Sequence, residues 1–132
     1  LYKPSQWKVT ADASEHNRRS IYLMQKRNLR VPFMEVFDSP DRAISCARRD
    51  ASTHAPQALE LLNGDISNHA ARAFAERLKK EAGASKAAQV DLAYRLAAGR
   101  LPTVSERKAG VDFLAAQPLT EFALAILNTN AF

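Results

Sequence analysis

The residues best suited to chemistry lie in one charged stretch of the chain. Within 13 residues the sequence places three guanidinium groups and three carboxylates, at Asp38, Asp41, Arg42, Arg48, Arg49 and Asp50. Guanidinium forks bind carboxylate, sulfate or phosphate through paired hydrogen bonds, so three close arginines are compatible with an anion or polysaccharide site. Alternatively, these arginines and aspartates pair with one another and fix an irregular segment whose backbone groups need partners. We favour internal pairing and keep the binding site as the alternative.

Histidine and cysteine add little to this picture. His16, His54 and His69 share no metal-binding spacing such as His-x-x-x-His, so we predict no metal site. His54 follows the charged stretch and precedes a helix start, where a ring can face a pocket. Cys46 is the single cysteine, and without a triad-like signature we expect a small buried residue and nominate no catalytic residue. The candidate binding residues are therefore Asp38, Asp41, Arg42, Arg48, Arg49 and His54.

Charge distribution and missing motifs argue against several classes of ligand and partner. The net charge is +5 with a pI near 9.7, but it is spread out: ten Lys/Arg against eight Asp/Glu up to Ile66, and nine against six thereafter. A nucleic-acid-binding surface concentrates cations along one face, interleaved with aromatics, and we see no such stripe. No Gly-rich phosphate loop or Cys-x-x-Cys-His motif occurs, so no cofactor is predicted. No apolar run approaches the roughly 20 residues of a membrane span.

The elements that position these residues are predicted to be helices, which places the chain in the all-α class. After Asn63 we expect four helices. The first is capped by Ser67 and carries Ala70, Phe74 and Leu78, and the second begins after Ser85 with Ala88, Leu92 and Leu96; Gly83 and Gly99 end them. The third begins at the capping box from Thr103 to Glu106 and carries Val104, Val111, Leu114 and Ala115. The last follows Pro118 and carries Phe122, Ile126 and Leu127.

The first half is less regular. The apolar block from Ile21 to Met24 fits strand or helix equally. We expect one helical turn after Pro32 and a short helix from Pro56 to Leu62, with an irregular, charge-rich segment between them. The length of 132 residues favours a single domain over 1–132. The chain begins at Leu1 without a visible signal peptide, so we expect a processed or excised piece of a larger protein.

An ordered set of motifs resembles one known family. The segments that carry the resemblance are Arg18 to Tyr22, Phe37 to Arg42, Arg48-Arg49, Gln57 to Asn63, Gly99 to Thr103 and Leu127 to Phe132, with Tyr2, Pro4 and Trp7 at the opening. Together they resemble the PSD-one domain, a C-terminal domain of unknown function (1553) found in large planctomycete-type proteins that often also carry a cytochrome-c-like domain. The chain departs from the family pattern at Pro56, which comes one residue later than usual, and at Ala131, where a Glu is usual.

The resemblance implies an extracytoplasmic protein, attached upstream to other domains, in which any haem belongs to a separate domain. The family brings no established activity with it. Our leading interpretation is a non-catalytic helical module that packs against upstream domains of its parent chain or against a protein partner. The alternative is a catalytic or carbohydrate- and anion-binding half-site built on the Asp/Arg-rich loop 38–54, for which an anionic polysaccharide is the implied ligand.

Overall fold

The computed structural model describes residues 10–24, 26, 30–41, 43–48 and 51–129. Within them 66% of the residues are helical, in six α-helices and two 3-10 turns, and there is no strand. The predicted all-α class is confirmed. By its internal contacts the chain divides into two compact units, Leu1–Thr53 and His54–Phe132, and each is described by itself. The prediction of one domain over residues 1–132 stays a prediction.

The first unit has short elements only. Two 3-10 helical turns, Ala13–Asn17 and Ser20–Tyr22, precede helix α1, Pro32–Val36. The second turn makes Ile21 and Tyr22 of the ambiguous apolar block helical, whereas Leu23 and Met24 follow it outside the turn, and Ile21 is 80% exposed. None of the side chains described before His54 is buried. Hydrogen bonds and ion pairs therefore carry more of the local order here than apolar packing does.

The second unit is a bundle of five helices. They are α2 (Ala55–Asn63), α3 (Asp65–Ala82), α4 (Lys86–Ala98), α5 (Val104–Ala116) and α6 (Leu119–Leu127). The prediction of four helices after Asn63 is confirmed. Gly83 and Gly99 end α3 and α4 with φ of 67° and 66°, a left-handed region that glycine adopts at little cost.

The core of this bundle lies where α3, α4, α5 and α6 meet. Its centre is formed by Leu78, Val90, Ala93, Leu114, Phe122 and Ile126, and small side chains line the α3–α6 contact at Ala71, Ala75 and Ala123. Gly110 brings α5 close to α4, because a Cβ at this position would lie 3.0 Å from both methyl groups of Val90. The bundle is closely packed along these faces, and this rigid frame orients the turns at its ends.

Three details of the predicted helices are wrong. Ser67 does not cap α3, which begins at Asp65; the Ser67 hydroxyl instead donates to the carbonyl oxygen of Glu60 (3.3 Å). On α3, Ala71 is buried and the predicted Ala70 is exposed. On α5, Val104 is 90% exposed. On α3 the four-residue steps were set by the larger side chains Phe74 and Leu78, whereas the close contact with α6 is made by the face that carries Ala71 and Ala75.

Candidate functional site

The charged loop begins where α1 ends. The amide of Ser39 donates to the carbonyl oxygen of Met34 (3.0 Å), which closes the last turn of α1. Asp38, between them, has a φ of 55°, in the left-handed region that Asp tolerates better than most residues. This conformation turns the chain away from the helix axis and starts the irregular segment.

Asp38 closes the loop by binding Ser52, 14 residues further along. The Ser52 amide donates to Asp38 Oδ2 (2.7 Å), and the Ser52 hydroxyl oxygen lies 2.8 Å from each carboxylate oxygen. Hydrogen bonds from neutral donors to a carboxylate are stronger than bonds between neutral groups. The carboxylate of Asp38 therefore joins the two ends of the charged segment.

Asp41 is held by a second set of donors. The Ala43 amide donates to Asp41 Oδ1 (2.9 Å), and Arg30 Nη2 lies 2.6 Å from Asp41 Oδ2. These bonds lower the pKa of Asp41, the Ala43 amide first and the Arg30 guanidinium second, because both favour the ionised carboxylate. Arg30 also lies 3.5 Å from Glu35 Oε1. Asp41 is thus fixed by the backbone after it and by the residue before α1.

An open cleft of about 610 Å³ lies over this loop. The predicted residues Asp38, Asp41 and Arg48 all line it, together with Cys46 and Arg30. Arg42 and Arg49 lie outside the described residues. Within the described part of the chain, Arg48 forms no ion pair.

His54 and Cys46 differ from the other candidates. His54 precedes α2 in the second unit, where it is exposed and its side chain makes no capping hydrogen bond. The expectation that Cys46 is buried is wrong: the thiol is exposed and donates to the carbonyl oxygen of Arg48 (3.0 Å). The reason is that no side chain described in this unit is buried, so the described part of the unit offers no core for a small residue to enter.

Sequence reasoning missed Arg30 and Ser52, the partners of the two aspartates. Arg30 lies 11 residues before Asp41, and Ser52 lies 14 residues after Asp38. Neither spacing belongs to a recurrent local motif, so no sequence pattern predicted either pair.

A second polar cluster joins α4 to α5 in the other unit. Arg100 forms a two-pronged ion pair with Glu106, at 2.8 and 2.7 Å, and its guanidinium carbon lies 5.5 Å from the centre of the Tyr94 ring. The Thr103 amide donates to Glu106 Oε2 (2.7 Å), and Thr103 Oγ1 accepts from the Glu106 amide (3.3 Å). The predicted capping box is confirmed.

This environment controls the ionisation of two side chains. The Arg100 guanidinium first, and the Thr103 amide second, lower the pKa of Glu106 to about 2. Burial raises the pKa of Tyr94. The cluster fixes the α4–α5 connection; a carboxylate already holding these donors is poorly placed to act as a base.

The described ranges contain neither a metal-binding cluster nor a membrane-spanning helix. Among residues 10–24, 26, 30–41, 43–48 and 51–129, no three His, Cys, Asp or Glu side chains group together as they would around a metal ion. Over the same ranges, no helix has the length and apolar character needed to cross a membrane.

The fold and site describe a small all-α protein with a charged loop and a helical bundle. Residues 1–114 match the family described as "Protein of unknown function (DUF1553)", PSD1, and the chain belongs to this family. The resemblance found in the sequence is thereby confirmed. No curated protein and no solved structure shows significant similarity to the chain.

Proposed function

We propose that this chain is a non-catalytic helical module that packs against other domains of its parent protein, with a separate protein partner as the alternative. The observation that carries this proposal is the exposed apolar surface of α2. Leu59 is 58% exposed and Leu62 is 50% exposed, and no residue of α2 is buried. Leu59 and Leu62 are three residues apart and therefore share one helix face.

Exposed apolar side chains continue past the end of α2. Ile66, in the first turn of α3, is 58% exposed, and within α2 itself Leu61 is 37% exposed. Single exposed leucines are common, but several large ones within eight residues are typical of surfaces that bind other proteins. Asn128 Nδ2 donates to the carbonyl oxygen of Leu61 (3.2 Å), which ties this helix to the C-terminal end of α6. The surface is thus presented on an anchored element.

The charged loop fits the same proposal as a structural clasp. Asp38 and Asp41 bind Ser52, Ala43 and Arg30 of their own unit, and these contacts support a clasp. Arg48 forms no ion pair among the described residues, and the pairing predicted for Arg42 and Arg49 lies outside them. Extracytoplasmic location and attachment to upstream domains, implied by the family resemblance, are part of the proposal. In this proposal the upstream domains supply the surface that α2 contacts.

Site-specific crosslinking in the intact protein tests the apolar surface. A photoreactive p-benzoylphenylalanine in place of Leu62 should crosslink to another domain of the same polypeptide, identified by mass spectrometry of the crosslinked peptides. The matched control places the same residue at Arg72, an exposed position of α3, where we expect no defined crosslink.

The outcomes separate the alternatives. Crosslinks from position 62 to a different polypeptide would support a separate partner in place of a neighbouring domain. The absence of a defined crosslink from position 62, or equal crosslinking from positions 62 and 72, would overturn the proposal that α2 forms an interface.

Anion or carbohydrate binding is the second candidate function. It is favoured by the open cleft of about 610 Å³ and by Arg48, which lines the cleft and forms no ion pair among the described residues. The test is a sulfated-oligosaccharide array followed by calorimetry with Arg48→Ala and Arg49→Ala. If both variants keep the urea midpoint and lose sulfate-ester binding, the clasp interpretation is wrong and the loop is a binding site.

A further inference from the structure

A groove at one end of the helical bundle has the features of a peptide-binding site. It has a volume of about 520 Å³ and lies where the α3–α4 turn approaches the α5–α6 turn. Its lining includes Lys79, Gly83, Lys86, Gln89, Leu114 and Leu119. All of these residues belong to the second unit, and none belongs to the α2 surface. This inference therefore goes beyond the proposed function, and its test is independent of the test of that function.

The charge of the groove is of one sign. Lys79 lies in the last turns of α3 and Lys86 is the first residue of α4, and no carboxylate lines the groove. Neither ammonium group forms an ion pair within the described ranges. The N-terminal end of α4 adds partial positive charge beside Lys86, and the C-terminal end of α3 adds partial negative charge beside Lys79, so the net sign of the groove is set by the two ammonium groups. The groove is therefore complementary to a carboxylate.

The floor of the groove is apolar. Leu114 is 7% exposed and belongs to the core, and Leu119, the first residue of α6, is partly buried against it. An apolar side chain laid on this floor would lose its contact with water, which is the main favourable term in binding. An occupant thus needs an apolar group beside its negative charge.

Gln89 favours an occupant that carries a hydrogen-bond donor. Gln89 is one of the residues that line the groove, and it is 7% exposed. Its Nε2 donates to the carbonyl oxygen of Gly83 (2.5 Å), which fixes the orientation of the amide, and its Oε1 accepts no hydrogen bond from the described residues. A donor that reached this oxygen would add a hydrogen bond. A peptide backbone carries an N–H group for this purpose, whereas a fatty acid does not.

We propose that this groove binds a peptide segment in which an apolar side chain stands next to an Asp or Glu. The apolar side chain lies on Leu114 and Leu119, the carboxylate lies between Lys79 and Lys86, and a backbone N–H of the peptide donates to Gln89 Oε1. This is recognition of a short acidic-apolar sequence, with the bundle end as the rigid receptor.

The first experiment selects ligands without presupposing a sequence. Random linear heptapeptides displayed on phage are selected on the immobilised 132-residue chain and counter-selected on the Lys79→Glu/Lys86→Glu double variant. The expected result is enrichment of sequences that pair Leu, Ile, Phe or Val with Asp or Glu. No enrichment over background, or enrichment of peptides without an acidic residue, would overturn the proposal.

The second experiment measures the enriched peptide, labelled with fluorescein, by fluorescence polarisation. The Lys79→Glu/Lys86→Glu variant should bind it roughly tenfold more weakly or worse, since attraction becomes repulsion. The matched control is Lys80→Glu/Lys108→Glu, which makes the same charge change at exposed lysines that do not line the groove. Equal affinity of the two double variants would show that the peptide binds elsewhere or through net charge alone.

A third measurement tests the role of Gln89 without changing the protein. Each backbone amide of the enriched peptide is methylated in turn, and one position should lose most of the affinity because its N–H donates to Gln89 Oε1. Decanoate serves as the competing ligand without an N–H group. A flat methylation profile, or decanoate binding that depends on Lys79 and Lys86 while no peptide binds, would overturn the assignment to a peptide.

Discussion

The two units of this chain are held together by different interactions. In His54–Phe132, the four helices α3 to α6 enclose apolar side chains such as Leu78 and Val90, which are fully buried. In Leu1–Thr53, no described side chain is buried, and Asp38 and Asp41 accept hydrogen bonds from donors up to 14 residues away. The first unit is thus ordered mainly by exposed polar contacts, and the second by a core.

This difference indicates which unit provides most of the stability of the chain. Burial of apolar area provides most of the free energy of folding, whereas exposed ion pairs contribute little because water screens them. The second unit should therefore unfold as one cooperative transition. The first unit should contribute little to it, and changes there should act locally.

The largest expected effect comes from the core. Phe122 is 4% exposed, and its replacement by Ala should lower the free energy of unfolding by about 3–5 kcal/mol, because a cavity replaces the ring. Tyr22→Ala is the matched aromatic change in the first unit, where the ring is 72% exposed; it should shift stability by less than about 0.5 kcal/mol. Urea unfolding followed by circular dichroism measures both. Similar losses for the two variants would mean that the units share their stability.

The next effect comes from the cap of α5. Thr103→Ala removes the hydroxyl that accepts from the Glu106 amide, and it should cost about 1 kcal/mol in the same urea experiment. Thr120→Ala is the control, because Thr120 lies in the first turn of α6 and its hydroxyl forms no hydrogen bond within the described ranges. An unchanged urea midpoint for Thr103→Ala would count against the capping box.

The helices of the second unit were predictable because their ends are encoded locally. Ser85, Thr103, Gly83, Gly99 and Pro118 each act through the backbone beside them, so sequence alone located the four helices after Asn63. The buried faces were less predictable. The close contact between α5 and α4 depends on the glycine at position 110, which has no Cβ, and apolar periodicity does not predict such a contact.

The charged loop was predictable in composition but not in its pairing. The density of Asp and Arg between residues 38 and 50 drew attention to this segment. Which groups pair depends on how the chain folds back, and the partners found were Arg30 and Ser52, both outside that stretch. Local sequence patterns do not predict contacts between residues so far apart in the chain, whereas a helix cap depends on residues within four positions of one another.

A smaller effect on stability is expected at acid pH, from Glu106 in the second unit. Because the pKa of Glu106 is lowered in the folded state to about 2, from an ordinary value of 4.5, its ionised form stabilises the fold. This contribution is fully present above about pH 4.5 and is lost as the pH falls towards 2. The urea midpoint should fall over this window, and Glu106→Gln should reduce that fall.

The control for this pH effect is Lys108→Gln, which changes an exposed charge on the same helix without removing a carboxylate. NMR titration of the Glu106 side-chain carbon gives the pKa directly. A titration midpoint near the ordinary value of 4.5 would show that Arg100 and Thr103 do not hold the carboxylate as described.

The smallest effect on global stability is expected in the first unit. Arg30→Ala removes the guanidinium 2.6 Å from Asp41, in an ion pair whose side chains are 39% and 37% exposed. The pKa of Asp41 should rise towards its ordinary value, although the Ala43 amide, which lowers it most, keeps it below that value. The urea midpoint should not change measurably, since the pair is exposed and the core of the second unit is untouched. NMR titration of Asp41 in the variant and the parent chain, compared with urea unfolding of both, checks the two halves of this prediction. A clear loss of global stability with Arg30→Ala would mean that the polar clasp supports the bundle, and the division of the chain into a core-stabilised and a polar unit would then be wrong.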